Sequence, residues 1–295
     1  MKRIEFLSKM GLLPLALSTN QMTAIENLAD GLPPSEKMPV LFLGHGSPMN
    51  AIEDNAFVQE FKALGRKLPA PKAILCISAH WFTKGTKVTA MEKPKTIHDF
   101  GGFPKALFDI QYPAPGNPSL AIETKELLLP AAVEANQSWG LDHGAWTVLM
   151  HLYPKADVPV IQLSLDYTQG PEYHYQLAGR LKKLRHKGIL IVGSGNIVHN
   201  LGLADFPNIG KDNYGYDWAI EARALVNQYL LSGNHQPLVR YQQMPRAMQL
   251  AVPTPDHYLP LLYTLGLQDP GEPIQLFNDK LLAGSLSMTS VRIGG

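Results

Sequence analysis

Apolar runs that stop abruptly at glycine or histidine alternate along this chain with segments whose apolar residues recur at helical spacing. The first pattern predicts buried strands over residues 39–44, 72–78, 158–165 and 188–194, where most side chains are aliphatic. The second predicts amphipathic helices. Phe57, Phe61, Leu64 and Leu68 place one over residues 55–67, and Pro118 opens another over residues 118–129. A turn over residues 139–144 leads to a helix beginning near Ala145, with Trp146, Leu149 and Leu152 on one face. Tyr173, Leu177, Leu181 and Leu184 mark a further helix, with Lys182, Lys183 and Arg185 on its wet side. Residues 216–231 and 236–248 read as helices. So does a segment that opens at Thr254 or Pro255, runs through Leu262 and carries His257 in its first turn. Residues 87–91 and 286–293 alternate and read as strands, the second closing the sheet. A long loop spans residues 94–104, and loops of this length in compact domains are often functional.

Strands interleaved with helices predict an α/β fold, a mixed central sheet with helices on both faces. No internal repeat or composition break divides residues 38–295, which read as a single domain. Residues 1–37 read as an N-terminal appendage. Lys2-Arg3 ahead of the apolar stretch 10–18 gives it a degenerate signal-like character. The cytoplasm is the expected location, and the N-terminal segment leaves periplasmic export open.

Composition narrows the partners. The formal net charge of +1 and the absence of a Lys/Arg block speak against nucleic acid. No apolar run reaches the roughly 20 residues of a membrane span. The single cysteine, Cys76, lies in an apolar run and reads as inert core.

The histidines carry the chemistry. Of ten, His151, His174, His186 and His235 lie in helical contexts and read as structural or surface residues. His45, His80 and His199 each follow an apolar strand, and strand carboxyl ends in an α/β sheet share one rim where ligands bind. A lone histidine in a Gly-rich turn more often bonds a backbone carbonyl, so the argument rests on recurrence. Neutral imidazoles suit zinc or iron, and three protein ligands leave positions open for catalysis. A metal site at the strand carboxyl-terminal rim is therefore expected. His143 and His257, at a turn and a helix start, complete the group, with His98 on the long loop a weaker sixth.

The segments Gly44-His45-Gly46-Ser47-Pro48-Met49-Asn50, Ser78-Ala79-His80-Trp81, His98-Asp99-Phe100-Gly101-Gly102-Phe103-Pro104, Asp142-His143-Gly144, Asn196-Ile197-Val198-His199-Asn200 and Pro253-Thr254-Pro255-Asp256-His257-Tyr258 closely resemble the class III extradiol ring-cleavage dioxygenases, in the 4,5-DOPA dioxygenase branch. The resemblance runs from about Met38 to the C-terminus, with the motifs in order. It implies one divalent metal ion per chain held by His45, His80 and His257, with His199 able to swing in as a fourth ligand. It implies catalytic roles for His199 and His143, a small aromatic diol and O2 as substrates, and a ring-opened semialdehyde as product. Zinc is the expected resting ion and Fe(II) the catalytic one. His98 and Phe103 are read as the substrate-pocket lip, the other reading being a rigid structural loop. Wider class III enzymes use two histidines and a carboxylate. Here the third position is read as His257 rather than Asp256, because one step along a helix turns a side chain by ~100°. Two rivals remain: a zinc hydrolase using Glu53, Asp54 or Asp256 as base, and a non-catalytic Memo-type metal-binding protein. Histidines at both presumed catalytic positions speak against the second.

Overall fold

The computed structural model describes residues Lys37–Gly295. The appendage and its export reading lie outside the described residues, apart from Lys37. Among the described residues no helix is long and apolar enough to cross a membrane.

Six strands form the central sheet: β1 (Val40–Gly44), β2 (Ala73–Ser78), β3 (Val160–Gln162), β4 (Ile189–Gly195), β5 (Ile274–Phe277) and β6 (Ser290–Ile293). Their order is β3-β2-β4-β1-β6-β5. The first four run parallel, β6 is antiparallel to β1, and β5 is antiparallel to β6. The sheet is thus mixed, as predicted. Its principal helices are α1 (Ala56–Lys67), α2 (Pro118–Leu128), α3 (His143–Leu152), α4 (Pro171–Gly179), α5 (Asp217–Leu231) and α6 (Leu259–Gly266).

The strands are aliphatic at nearly every position because both sheet faces are covered. Successive side chains point to opposite faces. Val40, Phe42, Leu75 and Ile191 therefore share one core with α4, α5 and α6, while Leu41, Leu43, Ile74 and Cys76 share the other with Phe61 of α1 and Trp146 of α3. Cys76 is buried and free, and burial pushes its thiol pKa well up, so it is inert. Helix starts are set locally. Asn55 Oδ1 accepts the Val58 N–H at 3.1 Å, and Asn117 Oδ1 accepts that of Leu120 at 2.9 Å.

Register sets three strand ends side by side. Gly44 pairs with Gly195 and Ser78 with Ser194, so the carboxyl ends of the adjacent parallel strands β1, β4 and β2 are level. His45, His80 and His199 follow these ends.

Several predicted elements differ. Residues 158–165 divide into β3 and a short strand, Leu165–Asp166, that pairs with Phe82–Thr83 instead of the central sheet. The helix predicted over residues 236–248 is broken into His235–Val239, a 3-10 turn at Tyr241–Gln243, and Arg246–Ala251, with Pro245 before the last piece. The helix predicted near Ala145 begins at His143. The last helix begins at Leu259, which leaves His257 in the preceding turn. Pro260 fits only a first turn, so it signals this later start.

The segment after α4 ends in a separate short helix, Lys182–Arg185, and Arg185 is fully buried instead of on a wet face. Its guanidinium donates to the Met38 and Leu267 carbonyls and forks onto Glu272 at 2.6 and 2.7 Å. Lys37 joins the same carboxylate at 2.8 Å and also bonds Asp269. The chain's entry into β1 is fastened by charge as well as by packing.

Candidate metal centre

His45 sits one residue past β1, and its N–H continues the ladder to the Gly195 carbonyl at 3.2 Å. Gly46 turns the chain away at φ 63°, a conformation glycine adopts without strain. The His45 ring is fixed from behind. Its Nδ1 lies 3.0 Å from Ser194 Oγ, and that hydroxyl donates its single proton to the Gly144 carbonyl. Ser194 must therefore accept from Nδ1–H. The lone pair of His45 is left on Nε2, facing the rim.

His80 Nε2 lies 3.2 Å from His45 Nε2, and His80 Nδ1 lies 3.3 Å from Asp99 Oδ2. The ring packs against the start of α3. A Cβ at Gly144 would fall 2.7 Å from His80 Cδ2 and 2.5 Å from Ser78 Oγ, so only glycine fits there. His257 arrives from the loop before α6, its carbonyl accepting the Asn196 N–H at 2.9 Å. Its Nδ1–H donates to the Asp256 carboxylate. All three rings thus have a polar partner at Nδ1, which orients Nε2 toward the others.

Ring centroids of the three lie 5.0 to 5.2 Å apart, and one nitrogen from each falls within 4.8 Å of the others. Two nitrogens bound to one tetrahedral ion at ~2.0–2.1 Å lie about 3.3 Å apart, close to the observed contact. The donor set therefore fits a single ion such as zinc or Fe(II). Burial, and then the neighbouring imidazoles, hold the His45 and His80 pKa values well below the usual range, so both rings are neutral.

His143 and His199 flank this trio. His143 is the first residue of α3, its ring centroid 3.8 Å from that of His80 and 5.7 Å from that of His45. Its N–H donates to Asp99 Oδ1 at 2.8 Å. Its Nδ1 stands 3.0 Å from the same oxygen, outside hydrogen-bond alignment. Asp142 caps α3 and is wholly buried. It accepts from Ser78, Ala145, Gln162 and Trp139, while burial raises its pKa. His199 stacks on His257 with centroids 3.5 Å apart and planes 9° from parallel. Burial, and then His257, lower its pKa to about 3, so the free imidazole is neutral.

The family model described as the catalytic LigB subunit of aromatic ring-opening dioxygenase matches residues 39–282. The chain belongs to that family. It is 49% identical over 264 residues to a "4,5-DOPA dioxygenase extradiol" of Escherichia coli (strain K12), across 88% of this chain and 96% of that protein. A protein of the same name from Beta vulgaris is 34% identical over 261 residues, across 85% of this chain and 94% of its own. The crystal structure of an uncharacterized protein from Escherichia coli K12 superposes with a TM-score of 0.74 at 44% identity, covering 87% of this chain and all of that one. These relatives support ring-cleaving dioxygenase chemistry, and LigB dioxygenases use a metal ion.

In this LigB-family chain His98 is held on the long loop by its Nε2–H donating to the Ile110 carbonyl at 3.0 Å and by its ring packing on Trp146 and Phe108. Phe103 packs on Phe100, and Phe100, not His98, meets the His143 ring edge-on at 5.5 Å. Phe100 lies within the expected lip, residues 98–103, and packs on the His143 ring. Asp99, Asp256 and Ser194 were missed as partners of the imidazoles. The remaining histidines are structural where partners are visible: His174 bonds the Asp166 carbonyl, His151 that of Asn50, and His235 the Tyr175 hydroxyl.

Proposed function

We propose that this protein is an extradiol dioxygenase that inserts both atoms of O2 into a catechol of DOPA-like chemistry, breaking the ring bond beside the diol to give a semialdehyde. The observation that carries the reading is the convergence of His45, His80 and His257 with their Nδ1 partners, in a chain of this family. These three would hold one divalent ion, zinc at rest and Fe(II) in catalysis. When bound, the ion supplies acidity to the diol hydroxyls and a route for electron exchange between diol and O2.

The chain supplies the rest. His199, neutral and beside His257, takes a proton from a diol hydroxyl. His143 sits at the positive end of α3, where negative charge is favoured, and it stabilises or protonates the reduced oxygen. Phe100 and Phe103 wall the substrate ring and exclude water from the reacting edge.

The carboxylates disfavour a zinc hydrolase. Glu53 and Asp54 are exposed, Asp54 is bonded to Lys62 at 2.9 Å, and Asp256 is engaged by His257. None of these three stands ready to activate a water. The test is anaerobic loading with Fe(II) or with zinc, followed by a catechol panel monitored for O2 uptake and yellow ring-opened product. Ester or amide hydrolysis by the zinc form, with no O2 uptake by the iron form, would overturn the proposal.

A further inference from the structure

Asp99 lies on the long loop 94–104, yet its side chain is only 17% exposed and is turned into the histidine cluster. Its two oxygens face different rings. Oδ2 is 3.3 Å from His80 Nδ1, and Oδ1 is 3.0 Å from His143 Nδ1. Oδ1 also accepts the His143 backbone N–H at 2.8 Å, which fastens the loop to the first residue of α3. An ion shared by the Nε2 atoms of His45 and His80 would require both to be bare, which places the His80 ring proton on Nδ1, beside Asp99 Oδ2.

We propose that Asp99 is a positioning residue whose carboxylate divides between His80 and His143, holding a metal-binding ring and an acid–base ring in one register. The inference rests on the functional reading above, and it assigns a task to a residue outside the His45, His80 and His257 trio. An amide could satisfy only one of the two rings. Its oxygen can accept one proton, but its NH2 confronts the other N–H. The Asp99→Asn side chain keeps the size of aspartate, so its effect reports on the carboxylate's charge and acceptor oxygens and not on packing. Loss of the acceptor frees the His80 proton to move to Nε2, the atom that must stay bare, and lets the His143 ring rotate.

The test uses the full chain carrying Asp99→Asn or Asp99→Glu, with thermal unfolding as a check on folding. Zinc affinity is read by chelator competition and needs no turnover. For Asp99→Asn it should fall about 10–100-fold, the usual effect of removing such an outer carboxylate. With metal saturated, kcat should fall more than KM rises, and Asp99→Glu should recover part of both losses. Adding Asp99→Asn to His143→Gln should slow turnover no further than His143→Gln alone, since coupled residues are not additive. A folded Asp99→Asn chain with wild-type zinc affinity and kcat overturns the inference, and fully additive losses overturn the link to His143. Two zinc ions per chain, one lost in Asp99→Asn, would make Asp99 an ion ligand and overturn it too. If the wild-type protein cleaves no catechol while Asp99→Asn still loses zinc, the functional reading fails and the His80 half of the inference stands.

Discussion

Ser194→Ala isolates the hydrogen-bond chain behind His45. The Ser194 side chain is fully buried, as is almost all of His45. The hydroxyl accepts from His45 Nδ1 at 3.0 Å and donates to the Gly144 carbonyl. Alanine keeps the backbone and Cβ but strands a donor and an acceptor away from water. Each unsatisfied buried group costs ~1–3 kcal/mol, so two of them should cost the metal-free chain roughly 2–6 kcal/mol. At about 2–4 °C per kcal/mol for domains near this size, the unfolding midpoint should drop by roughly 4–24 °C. The second effect is on the ligand. Without its acceptor the ring proton of His45 gains nothing by staying on Nδ1, and the tautomer with Nε2–H becomes competitive. Zinc affinity should then fall about 10–100-fold. Calorimetry of the chelator-treated protein and zinc competition against a chromophoric chelator read the two effects separately. An unchanged midpoint together with unchanged zinc affinity would refute the tautomer argument and the proposed role of Nε2.

Alanine at His45, His80 or His257 should release the metal, and full content by elemental analysis in all three would sink the ligand set. His199→Gln and His143→Gln should keep the metal but lose ~10²–10⁴ in single-turnover catechol cleavage, the usual range for a lost acid or base; wild-type rates would remove both from the chemistry. Gly144→Ala places a Cβ 2.5 Å from Ser78 Oγ and 2.7 Å from His80 Cδ2, and should cost ~1–3 kcal/mol in denaturant unfolding with weakened metal retention. Acid should loosen the Arg185 anchor. Burial works to raise the Glu272 pKa, but hydrogen bonds led by Arg185 outweigh it and lower the value from 4.5 to about 2. A depressed folded pKa gives stability that is present above the unfolded value and lost as pH falls toward the folded one. The unfolding midpoint should therefore decline from about pH 4.5 to pH 2, and Glu272→Gln should flatten that slope; an identical slope in the variant would exclude Glu272 as its source.

The sequence by itself determined the strands, most helices and the strand-end histidines, because these are local. An aliphatic run bounded by glycine or proline encodes a strand and its end within a few residues, and His45, His80 and His199 stand just past such ends. Pro260 even encoded the late start of α6, which the reading set too early. The motifs also carried the family. Only the tertiary structure decided which ends meet and what stands behind each ring. The insertion of β4 between β1 and β2, and the register that sets Ser78 beside Ser194, come from crossovers that periodicity does not record. Asp99 reaches His80 and His143 through the path of an irregular loop, and Ser194 reaches His45 across a strand pair. Arg185 looked solvated because arginine on an amphipathic segment usually is. Its burial depends on Glu272 and on carbonyls contributed by remote parts of the chain. Local pattern encodes burial and period, whereas partners across the fold are chosen by topology, and the chemistry of this site resides in those partners.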